Sequence, residues 1–108
     1  MNNIRLFKPS IGKEEVKNIK KAISRSWLGL GPNVNKFEKE WEKHLKCKKA
    51  IAVNSGTAAL HLSLKLFNFK KGKKVLLPSM SFSSTASSVP YNDLEPIFVD
   101  SNPTTLNI

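Results

Sequence analysis

One cysteine, two arginines, few acidic residues and no long apolar run set the first limits on this chain of 108 residues. A single cysteine, Cys47, excludes an intrachain disulfide and points to a reducing compartment. It reads as a small buried or half-buried residue rather than a nucleophile. The only arginines are Arg5 and Arg25, so the formal charge of +10 comes almost wholly from lysine. Readers of phosphate and base edges favour the planar fork of arginine, interleaved with aromatic groups. Here lysines punctuate helices and turns, as in Lys46-Cys-Lys-Lys49 and Lys70-Lys-Gly-Lys-Lys74. A solvated lysine-rich surface is therefore preferred to a nucleic-acid patch. Met1 to Phe7 has no signal-peptide core, and no stretch reaches membrane-spanning length, so the expected location is the cytoplasm.

What is present is a hydrophobic content of 40%, which fits a globular chain, and a length suited to one small domain. Residues 1–12 read as an extended arm, with Pro9 inside it and Gly12 at its end. Lys13 to Arg25 places Val16, Ile19, Ala22 and Ile23 on one helical face, with Glu14 and Glu15 in the first turn where the dipole favours them. Ser26 to Asn33 is a turn-rich loop whose Trp27 and Leu28 are expected to insert into an apolar neighbour. Val34, Phe37, Trp41 and Leu45 mark a second amphipathic helix from about Asn33, with a core-facing Phe37/Trp41 stripe and a Glu42–Lys46 pair at i,i+4.

The stretch Ala50 to Phe67 is the centre of the chain. Ala50 to Val53 is a short β-rich run, Asn54-Ser-Gly-Thr57 breaks it, and an Ala/Leu segment follows. The leucines at 60, 62, 64 and 66 alternate like a strand, but the composition favours a helix, read here as largely buried. Strand, tight turn and helix in succession leave free N–H groups at a helix start, an anion site suited to phosphate. Gly56 lets a ligand oxygen approach the backbone and makes positive φ accessible.

Val75-Leu-Leu77 is a second short strand, stopped by Pro78. Ser79 to Val89 is a hydroxyl-rich loop running into a short helix that Pro90 ends, and Pro96 to Val99 is a third strand. The order β-α-β-α-β implies an α/β fold with a parallel sheet, whose ligands bind beyond the carboxyl ends of strands. Asn54–Thr57, Ser79–Ser84 and Asp100 fall at those ends.

Several blocks, in order, resemble the start of the DegT/DnrJ/StrS sugar aminotransferases, which use pyridoxal 5'-phosphate (PLP). They are Lys8-Pro-Ser-Ile-Gly12, Gly31-Pro-Asn-Val34 with Phe37-Glu38, and Asn54-Ser-Gly-Thr-Ala-Ala-Leu60. Leu77 to Ala86, Pro96 to Asp100 and Pro103 to Ile108 complete the series. The resemblance implies an N-terminal arm and two helices, then part of the mainly parallel sheet of the large domain of that fold. Residues 1–33 would be arm, helix and loop, and residues 34–108 the start of the cofactor-binding domain.

It also implies roles. The N–H groups of Thr57 and Ala58, with clearance at Gly56, would hold the cofactor phosphate, and Phe82 would stack on the pyridine ring. Ser55, Ser81 and Thr85 would support the site by hydrogen bonds, while His61 reads as structural. The implied reaction is amino transfer from a donor such as glutamate to a keto-sugar nucleotide, in a homodimer whose arm and Trp27–Gly31 loop face the partner. No nucleic acid or membrane is expected as a partner. A relative that dehydrates the sugar, or a small basic anion- or nucleic-acid-binding module, are the rival readings. The family's cofactor-bearing lysine and pyridinium-pairing aspartate have no counterpart here, so no catalytic residue is assigned. The resemblance covers the first quarter to third of such an enzyme, which implies a fragment inactive alone, with open sheet edges and exposed apolar helix faces. Departures are Lys73 and Lys74 for an acidic pair, Asp93 where glycine is usual, Ser84 and Ser88 for alanines, and Pro90.

Overall fold

The computed structural model describes residues 7–108, which form two compact units divided between Ala52 and Val53. Of the expected arm, residues 1–6 lie outside the described residues, and residues 7–12 have no regular structure. In the first unit, α1 spans Lys13–Ser24. The Glu15 carboxylate reaches back to accept the Gly12 N–H at 2.6 Å, which holds its carboxyl below the ordinary carboxylate range.

Helix α2 spans Pro32–Leu45 and starts on proline, whose missing N–H costs nothing in a first turn. It ends where Lys46 turns left-handed at φ 53°, letting the Cys47 N–H donate to the Glu42 carbonyl at 3.1 Å and the Lys46 N–H to that of Lys43 at 3.4 Å.

Four expectations are corrected in this unit. Glu42 does not pair with Lys46, because the left-handed turn takes that residue off the helix; Lys49 Nζ lies 3.3 Å from its carboxylate instead. Phe37 and Trp41 meet edge to face at 6.1 Å, yet no residue of α2 is buried. Trp27 inserts into no core. Its indole lies over Gly31 and donates to the Leu30 carbonyl at 2.6 Å, so a Cβ at Gly31 would fall within 2.0 Å of the ring nitrogen. Cys47 is exposed, since the turn after α2 carries it into solvent.

The second unit contains α3 (Gly56–Leu66), β1 (Lys74–Pro78), α4 (Ser83–Ser87), a 3-10 turn (Pro90–Asn92) and β2 (Glu95–Val99). β1 and β2 pair in parallel with Lys74 opposite Glu95 and Pro78 opposite Val99. The Ser79 N–H continues the ladder past Pro78 by donating to the Val99 carbonyl at 3.0 Å. The α/β class and the parallel pairing are as expected, and two of the three strands form. Residues 50–53 are not a strand, because a strand exists only with a hydrogen-bonded neighbour and none is present among the described residues.

The core is Leu77, Val89 and Leu94, against which Leu64, Val75 and Ala86 pack. α3 is helical, as composition required, but not buried. Leu64 meets the core while Leu60, Leu62 and Leu66 stay exposed; among the described residues, α4 and the 3-10 turn are the elements that pack most against this helix. Asn92 ties the turn to α3, its amide donating to the carbonyls of His61 at 3.1 Å and Ser88 at 2.9 Å. His61 stacks edge to face on Tyr91 at 5.8 Å, in keeping with a structural role. Ser88 is buried with its hydroxyl donating to the Thr85 carbonyl, so this departure from alanine leaves no unpaired group.

Asp93 sits at φ 58°, ψ 27°, the left-handed region that glycine enters without a Cβ penalty. Its ion pair with Lys71, 3.5 Å long, is exposed and adds little. Asp93→Gly is therefore expected to stabilise the chain by about 0.5–1 kcal/mol, read as a higher urea midpoint at unchanged slope.

Candidate functional site

The site expected at residues 55–58 is a helix start in the structure. Ser55 is extended at φ −158°, ψ 156°, and its carbonyl accepts the first helical bond, from the Ala59 N–H at 3.1 Å. Its hydroxyl accepts the Ala58 N–H at 3.2 Å, an ordinary N-cap. Ala58 is thus engaged by the cap, and no hydrogen bond among the described residues reaches the N–H of Gly56 or Thr57. Two open donors remain at the positive end of an 11-residue helix, where an anion is stabilised.

Gly56 is not in the left-handed region, so that reason for glycine falls away. A Cβ built on it would meet nothing within 4 Å. Neither backbone conformation nor internal packing requires glycine here, and the space above the two N–H groups is open.

Phe82 caps the next helix. Its carbonyl accepts the Thr85 N–H at 2.9 Å, and its ring is 78% exposed, with no internal packing that would account for it. The hydroxyls of Ser81 and Thr85 hydrogen-bond to each other at 2.8 Å and so fix the loop on which Phe82 stands. α3, which starts at Gly56, and α4, which Phe82 caps, pack against one another. Phe82 follows the C-terminal end of β1, the side of a parallel sheet where ligands bind. An anion at Gly56 and Thr57 and a flat apolar ring at Phe82 suit a planar aromatic phosphate. PLP fits that description. Among the described residues no cluster of His, Cys, Asp and Glu could hold a metal, and no helix is long and apolar enough to cross a membrane.

Sequence reasoning passed over the Gly56 N–H and the backbone partners of two half-buried acidic residues of α2, Glu38 and Glu42, which bond to Ala52 and Ala50. The available signal was their i,i+4 spacing just ahead of an extended apolar run.

A family model for the DegT/DnrJ/EryC1/StrS aminotransferase family matches residues 9–108. The chain is 42% identical over 100 residues to the spore coat polysaccharide biosynthesis protein SpsC of Bacillus subtilis (strain 168), covering 93% of this chain and 26% of that protein. It is 38% identical over 106 residues to a dTDP-4-dehydro-2,3,6-trideoxy-D-glucose 4-aminotransferase of Saccharopolyspora spinosa, covering 96% of this chain and 28% of that one. Among solved structures, the E. coli GDP-4-keto-6-deoxy-D-mannose-3-dehydratase with bound hydrated PLP superposes with a TM-score of 0.86 at 30% identity, over all of this chain and 29% of that one. The chain spans about a quarter of the length of the curated relatives it matches.

Proposed function

Because the chain belongs to the DegT/DnrJ/EryC1/StrS aminotransferase family, we propose that it forms the phosphate-binding start of a PLP enzyme that transfers an amino group to a keto-sugar nucleotide. Residues 34–108 are read as the beginning of its large, cofactor-binding domain. The observation that carries the cofactor reading is Gly56: a glycine that neither conformation nor packing needs, at a helix start with two open N–H groups.

Each residue has a task in this reading. Gly56 and Thr57 donate their N–H groups to the phosphate, and the absent Cβ at Gly56 lets an oxygen come close. Ser55 holds the Ala58 N–H, so Ala58 serves the site by keeping the first turn in shape rather than by binding the anion. Phe82 covers one face of the pyridine ring, limits its tilt and keeps water from it. When bound, PLP supplies the electron sink that such amino transfer requires. The lysine that carries the cofactor and the aspartate that pairs with its ring nitrogen have no counterpart among these residues, so the 108 residues alone are read as inactive. Glutamate is the proposed amino donor. The exposed Leu28 and Leu30 of the loop before α2 are the surface proposed to meet a second subunit.

The E. coli dehydratase supports a second reading, since this chain is as long as the matching part and 30% identical to it. The two readings share the same phosphate site and differ in residues that have no counterpart among these 108.

PLP titration of the wild-type chain and of Gly56→Ala and Gly56→Val tests the site. Each methyl would stand where the phosphate oxygen belongs, so affinity is expected to fall about tenfold or more, roughly 1.4 kcal/mol per decade. Helix content and thermal midpoint should hold, because the new Cβ meets nothing within 4 Å. Equal affinity in the three proteins would remove the site from residues 56–58.

A further inference from the structure

Residues 50–52 belong to no strand, yet two of their N–H groups are paired. The Ala52 N–H donates to Glu38 Oε1 at 2.8 Å, and the Ala50 N–H donates to Glu42 Oε1 at 3.3 Å. The spacing explains how one helix can do this. Four residues of helix rise about 6 Å, and two residues of extended chain advance about 6.6 Å. Carboxylates at i and i+4 on α2 therefore stand in step with N–H groups at i and i+2 of an extended run, where the carbonyls of a neighbouring strand would stand. Glu38 and Glu42 are half-buried, while Lys39, Glu40 and Lys43 between and beside them are exposed. The Ala50 N–H holds the Glu42 carboxyl below its ordinary value of 4.5, and Lys49 at 3.3 Å acts in the same direction.

We propose that Glu38 and Glu42 are positioning residues for the phosphate-binding turn: they stand in for a sheet neighbour along one edge of residues 50–52 and so fix the backbone that leads, three residues on, into Ser55. A hydrogen bond to an ionised carboxylate is stronger than a neutral one, which suits two bonds doing the work of a ladder. The ligand in this inference is the one named under the proposed function; the carboxylate ladder itself does not depend on that reading.

The test uses the 108-residue chain, labelled with 15N, as wild type, Glu38→Gln, Glu42→Gln, and the double substitution of both residues by leucine. Amide exchange at Ala50 and Ala52, the chemical shifts of Gly56 and Thr57, and PLP affinity are measured in each. Glutamine keeps an acceptor oxygen at the same reach, and leucine keeps helix propensity and bulk without one. The double variant should exchange Ala50 and Ala52 about tenfold faster or more and bind PLP about tenfold more weakly, the weight of one charge-assisted bond. The Gly56 and Thr57 shifts should move while the α2 signals stay, and the single glutamine variants should keep most of the protection and the affinity.

Protection lost with Gly56 and Thr57 shifts unmoved would overturn the positioning role, as would unchanged protection in the double variant. Wild-type chain that binds no PLP would sink the cofactor reading. The shifts would then still decide the positioning role without any ligand.

Discussion

Replacing Leu77 by alanine is expected to unfold residues 53–108. Leu77 is 3% exposed and lies at the meeting point of β1, the end of α4 through Val89, and the entry to β2 through Leu94. Deleting a buried leucine side chain costs about 2–5 kcal/mol, through lost transfer energy and the cavity left behind. A folded unit of this size holds roughly 3–8 kcal/mol in total, at about 0.05–0.15 kcal/mol per residue. The loss is thus comparable to the whole. The cavity cannot be filled by neighbours, because among the described residues three form the core and their partners Leu64, Val75 and Ala86 are already committed. Amide spectra of the variant should lose the dispersed signals of β1 and β2. Leu66→Ala is the control. Leu66 is 85% exposed, and its truncation should leave the spectrum and the urea midpoint within about 0.5 kcal/mol of wild type. Equal behaviour of the two variants would show that the core is elsewhere.

The second large effect is expected from Asn92→Asp. Asn92 donates both hydrogens of its amide, one to the His61 carbonyl on α3 and one to the Ser88 carbonyl at the end of α4. A carboxylate of the same shape offers only acceptors to two carbonyl oxygens. Two hydrogen bonds are lost and like partial charges are pressed together in a half-buried place, at a cost on the order of 3 kcal/mol at neutral pH. The pH dependence identifies the cause. Burial and the facing carbonyls raise the pKa of the new carboxyl in the folded state, so the unfolded state is the one favoured by ionisation. Destabilisation is therefore greatest above that raised pKa and shrinks as pH falls through it. Urea midpoints of variant and wild type measured from neutral to mildly acid pH should converge. A gap that stays constant with pH would assign the loss to packing instead.

Both predictions turn on contacts that single elements do not make, and this divides what could be read in the sequence from what could not. The start of α1 was legible because Glu14 and Glu15 stand at its first turn. α2 was legible from the spacing of Val34, Phe37, Trp41 and Leu45. α3 was legible because Ala, Leu and Lys outweighed an alternating pattern, and the polar turn before it proved to be a capped helix start. Val75–Leu77 and Pro96–Val99 were marked as strands by short apolar runs with proline at one border.

Other readings failed where the outcome depended on a second element. Residues 50–53 have the composition of a strand, but the described residues offer them carboxylates of α2 in place of a neighbouring ladder. The leucines of α3 predict a buried helix, yet of these Leu64 alone finds the core. Glu42 was paired by helical spacing with Lys46, which the left-handed turn removes; its partners come from residues 49 and 50. Trp27 turned back on Gly31 of its own loop.

Sequence alone determined the helices, the two strand segments, the turn that starts α3 and the family. Helical hydrogen bonds, caps and turn preferences are satisfied within a few residues, so local order suffices to encode them. Tertiary structure decided which N–H groups at residues 56–58 remain open, which leucines are covered, and which acceptors hold residues 50–52. Strand pairing and burial each require a surface supplied from elsewhere in the chain, and a sequence pattern names the demand for that surface without naming its source.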